Sequence, residues 1–223
     1  KGFKALLKQV DFTMAQQDIR YYLNGLLIEV KEKNINIVGT DGHRLSFTSL
    51  ELTNPTKAAQ VIIPRKTVVE LVKLLNDNDD PLEISFSNNQ VNFKFSDIDL
   101  ITKVIDGKFP DYSRVIPEGH ENVFNIDRAL LLESMLRASI LSNDKYRGIR
   151  MVVEENNLRL VSNNSEQEQA EEELEIEYRG EKIDIGFNVT YLIDVLMNIQ
   201  SDQLTIAFND SSSSCLVTIP NNK

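Results

Sequence analysis

The sequence predicts an α+β protein: two tandem domains, each of two helix-plus-antiparallel-sheet units, with the helices on one face. Three observations lead there. First, the chain repeats itself. Phe3-Lys4-Ala5-Leu6-Leu7 opens an apolar helix, and Asp127-Arg128-Ala129-Leu130-Leu131 opens another. Each is followed by a Tyr-containing turn, Tyr22-Leu23-Asn24-Gly25 or Tyr146-Arg147-Gly148, and then by an apolar strand. The second helices also correspond, Val69 to Leu75 with Tyr191 to Met197, and both run into similar strands, Leu82-Glu83-Ile84-Ser85-Phe86 and Leu204-Thr205-Ile206-Ala207-Phe208. Self-similarity at a fixed offset means one supersecondary plan used twice. Second, Val91-Asn92-Phe93-Lys94-Phe95 alternates with period two, the mark of a strand with one buried face. Third, 223 residues at 41% hydrophobic suffice for two separate cores.

Taken in order, the first half predicts a helix over 3–14, strands near 25–30, 34–39 and 44–52, and a short strand at 60–64. A helix over 65–76 follows, entered at Pro64 and stopped by the polar run Asn76-Asp77-Asn78-Asp79-Asp80. Strands near 82–87, 90–95 and 99–105 complete it. Asp106-Gly107-Lys108-Phe109-Pro110-Asp111-Tyr112 and Pro117-Glu118-Gly119 form a punctuated connector, so the domains are expected at 1–117 and 118–223. The second half predicts a strand at 123–126, a helix over 127–141, and strands near 149–155, 157–162, 171–178 and 182–187. A helix over 188–199 and strands near 203–208 and 214–219 follow. The second copy has a strand before its first helix and the first copy does not. The first copy ends on a strand, Leu100 to Ile105, that the second lacks. With no initiator Met, the chain reads as a fragment whose first domain lacks its first strand and whose second lacks its last.

Net charge is −10 and the isoelectric point about 4.8, which excludes a protein that coats nucleic acid with its whole surface. The acid concentrates between Glu166 and Glu177, whereas the helices carry Lys4, Lys8, Arg65, Lys66, Lys73, Arg128 and Arg137. Basic helices in an acidic protein are expected to line a concave surface, with carboxylate-bearing strands outside. No apolar run approaches the roughly 18 residues needed to span a bilayer, and no cleavable signal is visible. No membrane partner is therefore expected. Cys215 stands alone in a strand-like run and reads as a small buried apolar side chain. Three Asn-x-Ser/Thr triplets are discounted as chance, and a reducing, cytoplasmic compartment is expected.

The two copies depart at one place. Gly39-Thr40-Asp41-Gly42-His43-Arg44-Leu45 has no counterpart in Ser162-Asn163-Asn164-Ser165. Asp-Gly between strands is first a hairpin signal. An enzymatic reading would recruit Asp41 and His43 as metal ligands or an acid–base pair, making a metal-dependent hydrolase. It lacks partners: the other histidine is His120, and there is no Cys cluster, phosphate loop or nucleophile elbow. No metal or cofactor is expected. A recognition groove is the alternative. Thr40, His43 and Arg44 would supply hydrogen bonds, Leu45 with Leu23 an apolar floor, and Pro110, Arg114 and Val115 the opposite wall.

These same segments resemble a known family. Asp18-Ile19-Arg20-Tyr21-Tyr22-Leu23-Asn24-Gly25, Thr40 to Leu45, Ile63-Pro64-Arg65-Lys66 and Asp106 to Tyr112 are similar to the bacterial sliding clamps, the beta subunits of DNA polymerase III. Ile140-Leu141-Ser142-Asn143, Tyr146-Arg147-Gly148 and Ile185-Gly186-Phe187-Asn188-Val189 continue the likeness in order along the chain. The resemblance implies a DNA-clamp fold, with this chain matching the family's second and third domains. It implies a non-catalytic processivity subunit, in full length a homodimeric ring around double-stranded DNA in the bacterial cytoplasm. By position, Gln16, Gln17, Tyr21, Tyr22, Arg65 and Lys66 match the family's DNA-contact region; helix charge adds Lys4, Lys8, Lys73 and Arg137. Leu23, Thr40, Gly42, His43, Arg44, Leu45, Pro110, Arg114 and Val115 match a groove that takes short peptides from DNA polymerase catalytic subunits and clamp-loader subunits. Ile140 and Leu141 match the seam between subunits.

Overall fold

The computed structural model describes residues 2–220. The chain divides into two compact units, Lys1–Tyr112 and Ser113–Lys223, so the division falls before the connector's Pro117 rather than at 117/118.

In the first unit, α1 (Gly2–Val10) is followed by a 3-10 turn over Asp11–Thr13. The expected helix to residue 14 is thus cut short, because the Thr13 hydroxyl bonds back to the Val10 carbonyl at 2.7 Å and the chain leaves extended at Met14. β1 (Gly25–Lys31), β2 (Asn34–Thr40), β3 (Leu45–Glu51) and β4 (Ala59–Pro64) form an antiparallel sheet in the order β3-β2-β1-β4. α2 (Arg65–Leu74) follows directly on Pro64, and β5 (Glu83–Phe86), β6 (Gln90–Phe95) and β7 (Ile98–Lys103) make a second sheet.

The pleat assigns the faces of the first sheet. Leu26, Ile28, Val30, Ile35 and Ile37 point one way, into a core with Leu6, Leu7 and Val10 of α1, Val68 and Leu71 of α2, and Val91, Phe93 and Phe95 of β6. Each such side chain, taken fully out of water, contributes about 1.5–3 kcal/mol. Leu27 pairs with Val38 and Glu29 with Asn36, so these residues share the opposite face.

The second unit follows the same plan. β8 (Asn122–Asp127) precedes α3 (Arg128–Ser139), whose N-terminus is capped by Asp127 Oδ1 accepting from the Leu130 amide at 2.8 Å. β9 (Gly148–Glu154), β10 (Asn157–Asn163), β11 (Gln169–Glu175) and β12 (Ile183–Asn188) form a sheet ordered β11-β10-β9-β12. α4 (Val189–Asn198) is capped by Asn188, and β13 (Gln203–Phe208) lies between β8 and β14 (Leu216–Thr218). The core joins Leu131, Met135 and Ala138 of α3 to Met151, Leu158, Leu160 and Phe208. Cys215 packs against this core, and burial pushes its thiol up to about 12. The fold is α+β with antiparallel sheets, and in each unit the helices pack on one face. Among the described residues, no helix is long and apolar enough to cross a membrane.

Candidate functional site

Between α1 and β1, residues 14–24 form a self-supporting loop. The Asp18 amide donates to Asn24 Oδ1 at 3.0 Å, and Asn24 Nδ2 returns a bond to the Asp18 carbonyl at 2.9 Å. The Ala15 amide donates to the Leu23 carbonyl, closing the base, and a 3-10 turn over Tyr21–Leu23 feeds β1. Arg65 ties the loop to the start of α2, its Nη1 donating to the Met14 carbonyl at 3.3 Å. This scaffold leaves Gln16, Gln17 and Tyr21 exposed and Ile19 96% exposed. Gln17 sits at φ 57°, a local strain that the surrounding bonds hold in place. Tyr22 is half-buried, edge-on to Tyr21.

Arg20 links this loop to the β2–β3 turn. Its guanidinium donates to both Asp18 carboxylate oxygens, at 3.0 and 2.8 Å, and Nη2 donates to the Asp41 carbonyl at 3.1 Å. The Arg20 side chain, followed by its backbone amide, holds the Asp18 carboxyl down at about 2.

The turn itself explains Asp41. Its Oδ1 accepts from the amides of His43 and Arg44, and its Oδ2 from Arg44 Nε at 3.1 Å. Thr40 Oγ1 receives the Gly42 amide and donates to the Arg44 carbonyl. Gly42 has φ 89°, which a side chain resists, and any Cβ there would meet the Arg20 guanidinium. Arg44 Nη2 reaches the Phe12 carbonyl at 3.1 Å and its guanidinium lies over the Phe12 ring. Asp41 and Arg44 are thus turn builders. Among the described residues, no group of three or more His, Cys, Asp or Glu side chains could hold a metal ion.

The structure brings Thr40, Gly42, His43, Arg44 and Leu45 onto one turn, with Leu45 packed against Leu27, Val38, Ile62 and Phe109 on the outer sheet face. Pro110, exposed beside buried Phe109, belongs to the same unit. Leu23 is 1% exposed and serves as core under the loop rather than as an open floor. Arg114 and Val115 are exposed and fall in the second unit.

The helix cations separate into two groups. Lys8 and Lys66 stand on exposed positions of α1 and α2, which pack together. Lys4, its side chain 14% exposed, pairs with Asp77 at 3.3 Å, and Lys73 pairs with Glu70 at 3.1 Å in a surface contact worth about 0–1 kcal/mol. In the second unit Arg137 is held in a two-point bond to Glu172 of β11, and Arg128 bonds the Leu196 and Ser201 carbonyls at the end of α4. Ile140, 77% exposed, follows α3, while Leu141 is half-buried. Sequence reasoning missed Arg20 and Tyr112 as organisers. Arg20 and Tyr112 both lay in quoted segments, but the Asp41 carbonyl and Glu29 that they reach are 21 and 83 positions away and gave no local signal.

Comparison with known proteins accounts for this arrangement along its length. The family profile described as DNA polymerase III beta subunit, central domain, matches residues 1–111, and the one described as its C-terminal domain matches 113–223. The chain belongs to the DNA polymerase III beta subunit family. The beta sliding clamp of Pseudomonas aeruginosa is 45% identical over 215 residues, covering 96% of this chain and 59% of that protein. The Escherichia coli K12 beta sliding clamp is 41% identical over 211 residues, covering 95% of this chain and 58% of that protein. A crystal structure of the Pseudomonas aeruginosa DNA polymerase sliding clamp with ligand superposes with a TM-score of 0.97 at 43% identity, covering 100% of this chain and 61% of that one. A clamp from the same organism bound to griselimycin gives 0.96 at 43% identity, covering 100% and 60%. The chain therefore spans less than two thirds of the beta subunits it matches, and its two units correspond to the family's central and C-terminal domains.

Proposed function

We propose that this chain is the central and C-terminal part of a processivity clamp, a non-catalytic subunit that in full length closes as a homodimer around duplex DNA in the bacterial cytoplasm. The observation that carries this is the pairing of two features in a member of the beta subunit family. One is the exposed cationic face of α1 and α2, with Lys8, Lys66 and Lys73, while Lys4 lies largely covered beneath it against Asp77. The other is the braced loop that presents Gln16, Gln17 and Tyr21 beside Arg65. A subunit that must slide needs contacts to phosphate without a grip on base edges. Arg137 contributes less, since Glu172 already occupies it.

The turn Thr40 to Leu45, with Pro110 and the Leu23 support beneath, is the peptide site of this reading within the first unit, taking tails of polymerases and clamp-loader subunits. Ile140 and Leu141, linked through α3 and Arg137 to the outer strand β11, form the seam. Reversal of Arg65 and Lys66 to glutamate in the full-length protein tests the tether. Retention on nicked circular DNA should fall and depend less steeply on salt than the parent's, because fewer phosphates are neutralised; unchanged retention would remove these residues from the interface.

A further inference from the structure

The two units cover the outer faces of their four-stranded sheets differently. In the second unit that face is a solvated ladder of ion pairs, Arg150 with Asp184, Lys182 with Glu154 and Arg159 with Glu171. In the first unit residues 105–112 run across the face as a strap. The Ile105 amide starts it, donating to the Ile62 carbonyl at 2.8 Å, and Gly107 passes against Tyr22. Phe109, 4% exposed, plugs into Leu27, Val38 and Ile62. Tyr112 ends it. Its phenol donates to Glu29 Oε2 at 2.5 Å and its ring stacks on Phe47 at 5.7 Å between centroids. Three strands share in this one anchor, because Glu29 lies on β1, Asn36 on β2 and Phe47 on β3. Asn36 Nδ2 bonds Glu29 Oε2 at 3.3 Å, Ser49 Oγ donates to Asn36 Oδ1 at 2.7 Å, and Lys31 Nζ holds Glu29 at 2.9 Å.

We propose that Tyr112 is a positioning residue: by locking onto Glu29 and Phe47 it holds the strap on the sheet and fixes where Pro110 stands. Pro110 is exposed and lies between two anchors, buried Phe109 and latched Tyr112, so it has no hold of its own. A hydrogen bond to a charged acceptor is the stronger kind, and it is directional enough to set register. The consequence for peptide binding rests on the groove reading above; the latch itself does not.

The test is limited tryptic cleavage at Lys108 in the strap, run beside titration with a short polymerase-tail peptide. Tyr112→Phe keeps the ring stack and removes only the hydroxyl; Glu29→Gln keeps an acceptor and Glu29→Ala does not. Y112F and E29A should speed cleavage at Lys108 by about tenfold through local opening, with other sites in the first unit unchanged and E29Q, which keeps an acceptor without the charge, falling between E29A and the parent. Peptide affinity should fall in the same two variants and fall less in E29Q. Unchanged cleavage at Lys108 in Y112F would overturn the latch. Faster cleavage with unaltered peptide affinity would uphold the latch and overturn its link to Pro110. If the parent chain binds no peptide, the groove reading fails and cleavage alone decides the latch.

Discussion

The Asp18 carboxylate accepts the Arg20 guanidinium at two points and the Arg20 amide besides, and its pKa is depressed to about 2. A carboxyl whose folded value is depressed contributes stability above its unfolded value near 4, and that contribution is lost as pH falls toward the folded value. The loop should therefore keep its form through the ordinary carboxylate range and loosen only as pH approaches 2. Carbon-detected titration of Asp18 would show this; a midpoint near 4 would contradict it. The Arg20 side chain is part-exposed, so the bond shapes the loop more than it stabilises the fold. Such roles were only partly legible. Asp41-Gly42 announced a turn because Asp and Gly have local reasons to sit there. Arg20 and Arg44 also have near partners in Asp18 and Asp41, but their bonds 21 and 32 positions away, like that of Tyr112 83 positions away, are encoded by no local pattern.

At the scale of elements, period-two alternation and helix boundaries carried most of the fold. β6 buries Val91, Phe93 and Phe95 as its alternation requires. The Asp127 and Asn188 caps start α3 and α4 where acidic or amide side chains precede apolar runs. Helix ends were less legible, because α1 gives way to a 3-10 turn through the Thr13 hydroxyl bonding back to Val10, a choice the apolar periodicity does not reveal. Gly39 lets β2 pass close beneath that turn: a Cβ there would lie 2.5 Å from Thr13 Oγ1 and 2.7 Å from the Val10 carbonyl. Gly39→Ala should cost about 1–3 kcal/mol by overpacking, read as a lower urea midpoint at unchanged slope. A midpoint equal to the parent's would show that the turn yields freely. The second outer strand, β11, alternates exposed glutamates with partly covered residues, a charged edge that discourages indiscriminate pairing while leaving its ladder groups available.

For the whole molecule, internal repetition was the most legible feature. It gave two units of one plan, and the family's central and C-terminal domains match them in order. Charge was legible only in part. Lysine and arginine counts on helices foresaw the exposed face of α1 and α2, but not that Arg128 and Arg137 would be used inside the second unit. Whether a cation is available depends on what stands near it, and that is set by tertiary packing. The groove reading depends on the turn Thr40 to Leu45 acting as a receptor surface, and binding of a short polymerase-tail peptide tests it most directly. Titrated by fluorescence anisotropy, the parent chain should bind saturably, and His43→Ala, an exposed position of the turn, should weaken binding at least about tenfold, or 1.4 kcal/mol. Equal binding by both proteins, or none by the parent, would contradict the account.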